Sequence, residues 1–288
     1  MTLGVAIPAY KDAARLARCL QSIAEYAPEL LEHTVVVDDS GDGQVRAALK
    51  VDYSQIKWIV HSSNAGFGAS ATEAVRACDA DIVILLNDDV QILNDPTSAL
   101  LSCFQDASLF AVSFRSESLA GQFREGAKRL VWRLGFPKIL HNPVDQVMKS
   151  DAAQASSYAV GGHCAYRKRF FDELGGFDKL FDPFYWEDVD LSMRALRHGW
   201  MVQYQPECRV RHEEAGAIKA SHKQDEIRKL TLRNRVLFAR RHCPDALKVQ
   251  LKLSMAWQRL TAILSGNKVM LEAFREADIR WNEYNQSR

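Results

Sequence analysis

The chain lacks any segment that could cross a membrane, because no window of about 18 uninterrupted apolar residues occurs in its 288 residues. Its first ten residues lack a basic stretch followed by a long apolar run, so no secretory leader is expected. Internal repeats and low-complexity tracts are also missing, and nearly half of the residues are apolar. These absences predict a globular protein that stays in the cytoplasm and buries a large core.

Closely spaced cysteine pairs are absent too, which argues against both disulfides and a zinc site. We therefore expect buried free thiols, and no chemistry, at the six cysteines: Cys19, Cys78, Cys103, Cys164, Cys208 and Cys243.

The chain lacks a large net charge, because its formal net charge is only +1. The charged residues are nevertheless unevenly distributed along it. After residue 215 there are 15 Lys and Arg against 7 Asp and Glu, compared with 22 against 29 before it. The basic tail favours contact with phosphate groups or a membrane surface, and a solvated helical face explains it equally well. No nucleic-acid-binding motif accompanies these charges, so nucleic acid is not an expected partner.

Two acidic clusters and one histidine, His212, are present instead. Asn87-Asp88-Asp89 follows an apolar run of strand length, at the sheet edge where ligands of α/β proteins bind. A turn or a helix cap would use the same residues.

The second cluster, Trp186 to Asp190, opens an amphipathic stretch that stops at His198-Gly199, as a helix would. Acidic residues also favour a helix start without any chemistry. The aromatic residues beside Glu187 and Asp188 can raise a carboxylate pKa and form a wall on which a sugar stacks.

The order of elements predicts an α/β fold with a largely parallel sheet and a helical tail from Lys223 onward, broken at Cys243-Pro244. The predicted strands are Leu3–Ile7, Thr34–Val37, Ile56–Val60, Ile82–Leu86, Ser157–Arg167 and Met201–Gln205. The predicted helices include Asp12–Tyr26 and Ser70–Cys78.

Taken in order, these segments resemble the family 2 glycosyltransferases, which are inverting enzymes with the GT-A fold that depend on nucleotide sugars; the rhamnosyltransferase-like subgroup is the most similar. The resemblance runs from about Leu3 to His212. It rests on Val5–Tyr10, Val35–Ser40, Asn64–Gly68, Leu85–Val90, Gly175–Asp178, Trp186–Leu191 and Pro206–His212.

The resemblance implies a glycosyltransferase domain at 1–215, with a nucleotide-binding half at 1–105 and an acceptor half at 106–215. Residues 216–288 would be a helical extension. The residues that would contact the donor are Pro8, Tyr10, Asp38, Asp39, Asn64, Gly66, Asp88 and Arg233. An Asx turn would use Asp38 and Asp39 equally well, and a surface helix would contain Arg233.

The resemblance also implies that Asp89 and His212 bind a divalent metal, for which an oxygen-rich site with one imidazole suits Mn²⁺ or Mg²⁺. Asp188 would be the general base, with Glu187 orienting it or replacing it. The acceptor would contact Gly162, His163 and Trp186, although a structural histidine and a core tryptophan are equally good readings of the last two.

The expected activity is transfer of a sugar from a UDP- or dTDP-sugar to a glycan or lipid-linked acceptor, as in surface polysaccharide synthesis. The basic amphipathic segment Phe114–Pro143 indicates either peripheral contact with the inner face of the membrane, or a loop or helix packed on the body of the protein or in a homo-oligomer interface. Two alternatives are a non-catalytic nucleotide-sugar or glycan-binding subunit and a sugar-phosphate nucleotidyltransferase, whose triphosphate loop is missing after Pro8. The sequence leaves the oligomeric state open.

Overall fold

The computed structural model describes residues 1–141, 151–212 and 223–286. Its strands are β1 (Leu3–Ala9), β2 (Thr34–Asp38), β3 (Lys57–Val60), β4 (Ile82–Leu86), β5 (Val90–Ile92), β6 (Leu109–Glu117), β7 (Phe123–Glu125), β8 (Lys128–Arg133), β9 (Phe136–His141), β10 (Gln154–Ala155), β11 (His163–Arg167) and β12 (Met201–His212). Its α-helices are α1 (Ala13–Tyr26), α2 (Gln44–Leu49), α3 (Phe67–Ala77), α4 (Thr97–Cys103), α5 (Lys168–Glu173), α6 (Glu187–Arg197), α7 (Gln224–His242), α8 (Lys248–Leu264) and α9 (Lys268–Gln286).

A large mixed sheet forms the centre of the fold, with the strand order β10-β12-β6-β11-β4-β1-β2-β3. Strands β3, β2, β1 and β4 run parallel, as the alternation of strands and helices predicts. Strand β11 enters antiparallel between β4 and β6, and β12 lies parallel to β6. The predicted α/β class with a mainly parallel sheet is therefore confirmed.

Alternate residues of the central strands face two separate layers of core. Val5 and Ile7 of β1 pack on the side of α1, whereas Ala6 packs on the side of α3. Because β1, β2 and β4 are buried on both faces, their sequences are continuous apolar runs rather than alternating ones. This burial fixes the carboxyl ends of β1, β2 and β4 at one edge, where the polar residues follow.

The longest predicted elements agree with the structure, and the differences have local causes. The strand predicted at Ser157–Arg167 pairs only over His163–Arg167, because Gly161-Gly162 interrupts it. The strand predicted at Met201–Gln205 continues to His212, with a register shift between Gln205 and Arg209. The described part of the amphipathic segment Phe114–Pro143 consists mainly of strands joined by short turns, with β8 and β9 forming a hairpin, and not of a single loop or helix; Asn142 and Pro143 lie outside the described residues.

The C-terminal helices form a third core with the β8–β9 hairpin. Phe136 of the hairpin, Phe238 of α7, Leu251 of α8 and Phe274 of α9 belong to this core. None of the helices described is long and apolar enough to span a membrane. The predicted domain boundary at 215–216 lies outside the described residues, so the division into two domains stays a prediction.

Candidate active site

The turn after β4 places Asn87-Asp88-Asp89 at the carboxyl edge of the sheet. The Asn87 N–H donates to Gly162 O at 2.9 Å, and the Val90 N–H closes the turn on Asn87 O at 3.1 Å. The Asp88 carboxylate accepts the Tyr10 N–H at 3.1 Å, which ties the ends of β1 and β4 together. Burial, with the neighbouring Asp89 charge, raises the pKa of Asp88 to about 7.

Asp89 and His212 are brought together because β5 pairs with the end of β12, which places His212 opposite Val90. His212 Nε2 lies 3.3 Å from Asp89 Oδ1. Asp89 is only 4% exposed, and among the described residues its Oδ1 has no hydrogen-bond partner. Burial disfavours the imidazolium of His212, but the adjacent Asp89 outweighs it and raises the pKa of His212.

Two further residues complete a group that sequence reasoning did not assemble. Ligand atoms of Glu125, His163 and His212 all lie within 4.8 Å of one another. Burial lowers the pKa of His163 to about 4, so its imidazole is neutral, as a metal ligand must be. Burial opposes ionisation of Glu125, but the charge of Lys128 lowers its pKa to about 2. Lys128 Nζ is 2.5 Å from Glu125 Oε2.

These residues fit a divalent cation. Neither ring nitrogen of His163 has a hydrogen-bond partner among the described residues, and the same holds for Asp89 Oδ1. Buried polar atoms normally have hydrogen-bond partners. Nitrogen and carboxylate atoms without a hydrogen bond, grouped around His212, are what a metal-binding pocket would present. His212 could share an ion with Asp89, as the sequence predicts, or with Glu125 and His163. Glu125 was missed because the β6–β7 pairing that positions it has no signature in the sequence.

The second acidic pair begins α6. Asp188 Oδ2 accepts the Gly161 N–H at 3.1 Å, and Oδ1 accepts the Val189 N–H at 2.7 Å. Burial raises the pKa of Asp188, against the effect of those two N–H groups. Glu187 is buried, its Oε2 has no hydrogen-bond partner among the described residues, and burial together with Asp188 raises its pKa well above the usual range.

One short segment, Gly161-Gly162-His163, connects the two clusters. Gly161 holds Asp188 through its N–H, Gly162 holds Asn87 through its carbonyl, and His163 joins the histidine group. A Cβ on Gly162 would lie 2.5 Å from Asn87 Nδ2, so a larger residue there would displace the Asn87 side chain. Gly162 and His163, predicted to contact the acceptor, therefore lie between the predicted metal ligands and the predicted base.

The loop before α6 is held by the C-terminal helices. Tyr185 and Trp186 both have positive φ, which is uncommon for aromatic residues. Asn234 Nδ2 donates to Phe181 O at 2.6 Å, Phe184 O at 2.9 Å and Tyr185 O at 2.8 Å. Asn234 of α7 thus holds the loop through three of its carbonyl groups.

Arg233, predicted to contact the diphosphate, lies among the residues that hold this loop. It is 5% exposed and donates to Asp182 O and to Asn234 Oδ1. Burial, with the nearby Arg280, lowers the pKa of its guanidinium to about 10. The structure therefore places Arg233 beneath the loop that leads to the base. Trp186 packs on Phe238 of α7, with ring centroids 5.0 Å apart.

The residues predicted to contact the donor line the ends of β1 and β2. Pro8 and Asp38 are buried, and Asp38 accepts the N–H groups of Ser40 at 3.1 Å and Arg46 at 2.9 Å, as an Asx turn does. Tyr10 is half-buried at the end of β1, and a contact with Lys11, supported by Asn64, lowers its pKa.

Asp39 organises the loop before α3. It accepts the N–H groups of Ala65 at 2.7 Å and Gly66 at 3.0 Å, and the Asn64 side chain also accepts the Gly66 N–H at 2.8 Å. Gly66 has φ +88°, a conformation that favours glycine. The predicted donor residues other than Arg233 thus form one continuous edge, with Asp88 at its end after β4.

A family model described as "Glycosyltransferase like family 2" matches residues 2–227. The chain is 26% identical over 253 residues to "N-acetylglucosaminyl-diphospho-decaprenol L-rhamnosyltransferase" of Mycobacterium tuberculosis, a match covering 76% of this chain and 80% of that protein.

Two solved structures are similar in fold. One is GalNAc-T7 with UDP, GalNAc and Mn²⁺ (TM-score 0.65, 18% identity, 83% of this chain and 48% of that one). The other is the mannosyltransferase PcManGT of Pyrobaculum calidifontis with GDP-Man and Mn²⁺ (TM-score 0.56, 17% identity, 95% and 73%). Both are glycosyltransferases, and the similarity confirms the predicted GT-A fold.

Proposed function

The chain belongs to the glycosyltransferase-like family 2 and is a glycosyltransferase that uses a nucleotide-sugar donor, and from this premise we propose an inverting, metal-dependent mechanism. The donor is a UDP- or dTDP-sugar, and the acceptor is a hydroxyl of a glycan or of a lipid-linked glycan. The observation that carries the proposal is the Gly161–His163 segment, which joins the predicted base to the unpaired atoms around His212.

Asp89 and His212 are the proposed ligands of a divalent cation, Mn²⁺ or Mg²⁺, with Glu125 and His163 beside them. The cation would neutralise the diphosphate leaving group as a Lewis acid. The protein's own contribution is to keep Asp89 and His163 buried, with Glu125 and His212 partly buried beside them. Tyr10, Asp39 and Gly66 border the proposed donor pocket at the ends of β1 and β2.

Asp188 is the proposed base. Of the two adjacent carboxyl groups, Glu187 and Asp188, it is the one whose negative charge is stabilised. It accepts two backbone N–H groups, whereas Glu187 Oε2 has no hydrogen-bond partner among the described residues. Two neighbouring buried carboxyl groups do not both ionise easily, so the proton stays on Glu187 and the charge on Asp188. Asp188 then removes the proton of the acceptor hydroxyl as the oxygen attacks the anomeric carbon.

The acceptor is proposed to lie between Gly162, His163 and Trp186. The curated relative from M. tuberculosis is named as acting on a diphospho-decaprenol substrate, which supports a lipid-linked acceptor and hence a position at the inner face of the membrane. Peripheral membrane contact belongs to this proposal, as does a role in polysaccharide synthesis.

Calorimetric titration tests the donor site directly. We expect UDP or dTDP to bind in the presence of Mn²⁺ more tightly than GDP or CDP, and the binding to be lost with a chelator. Absence of binding by all four diphosphates, with and without Mn²⁺, would contradict the proposal.

Substitution of the base separates chemistry from binding. Asp188→Asn should lower the transfer rate by a factor of about 10² or more, within the range for general-base catalysis, and leave UDP affinity unchanged. Asp172→Asn is a matched control, because Asp172 is an exposed partner of Lys168 on α5. Near-normal transfer by the Asp188 variant would assign the base elsewhere, with Glu187 the first alternative.

A further inference from the structure

Helix α8 exposes a stripe of large apolar side chains. At 100° per residue, the stripe covers an arc of about 80° on the helix surface. Its members are Val249, Leu253, Trp257, Leu260 and Leu264. Trp257 is 65% exposed, although tryptophan is ordinarily well buried.

The opposite side of α8 is already used by the fold. Leu251, Met255 and Ala262 are buried there, so the exposed stripe is not the face that holds the helix in place. An exposed apolar surface of this extent on one helix marks an interaction site rather than scattered surface residues.

The tip of the β8–β9 hairpin extends the stripe. Ser254 Oγ donates to Leu134 O at 2.9 Å, and a Cβ on Gly135 would lie 2.5 Å from Leu251 Cβ, so the tip rests directly on α8. Leu134 itself is 69% exposed. We call Leu134, Val249, Leu253, Trp257, Leu260 and Leu264 together the apolar face.

Positive charge lies next to the apolar face: Arg133 precedes Leu134 and Lys252 precedes Leu253, while Arg129 and Lys138 lie further along the hairpin, on the same face of it as Arg133. Arg129, Arg133, Lys138 and Lys252 are exposed, and none has an ion-pair partner among the described residues. No Asp or Glu occurs in 126–141 or in 248–264. Two other basic residues of α8 are neutralised by carboxylates outside it: Lys248 by Asp245, at 2.6 Å, and Arg259 by Asp278, at 2.7 Å.

We propose that the apolar face docks on the surface of an anionic lipid bilayer, with Trp257 and the leucines in the headgroup region and the four basic side chains on lipid phosphates. A helix with an apolar stripe, a tryptophan and flanking Lys and Arg has the composition of an interfacial helix. Each basic residue near an anionic membrane adds to the attraction.

A second copy of the chain fits this surface less well. A two-fold interface sets a surface against itself, so the basic border of one copy would meet that of the other. Neither the hairpin nor α8 supplies a carboxylate to offset this repulsion, whereas lipid phosphates supply the missing negative charge.

The apolar face is connected to the candidate active site through one side chain. Phe238 of α7 contacts Trp132 of the hairpin, with ring centroids 6.0 Å apart, and Trp186 beside the acidic pair, at 5.0 Å. If the proposed function holds, docking would bring a lipid-linked acceptor to the side of the site where Trp186 lies. The docking itself does not depend on that activity.

Vesicle flotation tests the docking surface. The full chain is mixed with vesicles of phosphatidylcholine containing phosphatidylglycerol, and with vesicles of phosphatidylcholine alone. We expect binding to the anionic vesicles that salt weakens, and at least tenfold weaker binding to the neutral ones. Leu253→Glu combined with Trp257→Glu should weaken anionic binding at least tenfold, and Arg129→Glu combined with Arg133→Glu should do the same.

Val51→Glu is the matched control, because Val51 is 79% exposed between α2 and β3, and its binding should equal that of the unaltered chain. Circular dichroism and UDP binding report whether each variant is folded, independently of vesicles. Lack of binding by the unaltered chain, or equal binding by the Leu253/Trp257 variant, would overturn the proposal. A dimer in sedimentation that this variant dissociates would show that a second copy occupies the face. Vesicle binding without UDP binding would leave the docking proposal standing and remove the proposed function.

Discussion

Removing the Asn234 side chain should release the loop that leads to the acidic pair. Its amide donates to three carbonyls of Phe181, Phe184 and Tyr185 at 2.6 to 2.9 Å, and Asn234 is fully buried. An amide has two N–H bonds, and Asn234 Oδ1 also accepts from Arg233 Nε, so about three hydrogen bonds are lost in Asn234→Ala. Each contributes roughly 0.5 to 1.5 kcal/mol net, which predicts a loss of about 1.5 to 4.5 kcal/mol in the free energy of unfolding.

The same substitution should also affect transfer, because Trp186 and Glu187 follow the loop directly. We expect a lower kcat with an unchanged KM for the donor, since the residues at the ends of β1 and β2 are untouched. Urea unfolding measures the first effect, and steady-state kinetics measures the second.

Asn282→Ala serves as the control, because Asn282 is exposed on α9 and should have no effect on either quantity. A loss below about 1 kcal/mol together with a normal kcat would refute the reasoning. It would mean that Arg280, which donates to Leu180 O at 3.0 Å and Asp182 O at 2.8 Å, holds the loop without Asn234.

Three further predictions concern the proposed metal site, the proposed base and His61. His212→Ala should weaken Mn²⁺-dependent UDP binding at least tenfold by calorimetry. The transfer rate should fall as pH falls through the raised pKa of Asp188, because the base must be ionised. The midpoint of this fall should lie above about pH 3.9, the usual pKa of an aspartate, and the fall should be absent in Asp188→Asn. His61 contacts Asp39 at 2.7 Å and Glu73 at 2.8 Å, and although burial opposes protonation, these partners raise its pKa. Its stabilisation should therefore be full below pH 6.5 and lost as pH rises through the folded pKa, so His61→Gln should cost about 1 kcal/mol at pH 5.5 and little at pH 9, measured by urea unfolding.

The fold could be predicted where burial alone determines local structure. Strands such as Ile82–Leu86 are apolar on every residue because both faces are covered, and the amphipathic α1 has its periodicity in the sequence. The β8–β9 hairpin was not predicted, because its alternating basic and apolar residues also fit an amphipathic segment at a surface. The contacts that decide the matter are those with the C-terminal helices, which are distant in sequence.

The candidate site shows the same division. The proximity of Asp89 and His212 was predicted from the order of motifs, and the structure has them 3.3 Å apart. Glu125 was missed, since β6–β7 pairing and a buried Lys128 position it. The contacts of Arg233 with the loop could not be foreseen either, because a helix of basic residues looks alike whether it faces phosphate or backbone carbonyls.

The charges around the site explain why a cation and a nucleotide diphosphate should bind together. Asp88, Asp89 and Glu125 are carboxyl groups in and around the proposed metal-ligand group, and Lys128 forms an ion pair with Glu125. A diphosphate entering at the end of β4 would meet negative charge, and at short range in a buried site this repulsion is weakly screened. A divalent cation bound to Asp89 and His212 would replace this repulsion with attraction. UDP affinity should accordingly depend on Mn²⁺ more steeply than on ionic strength.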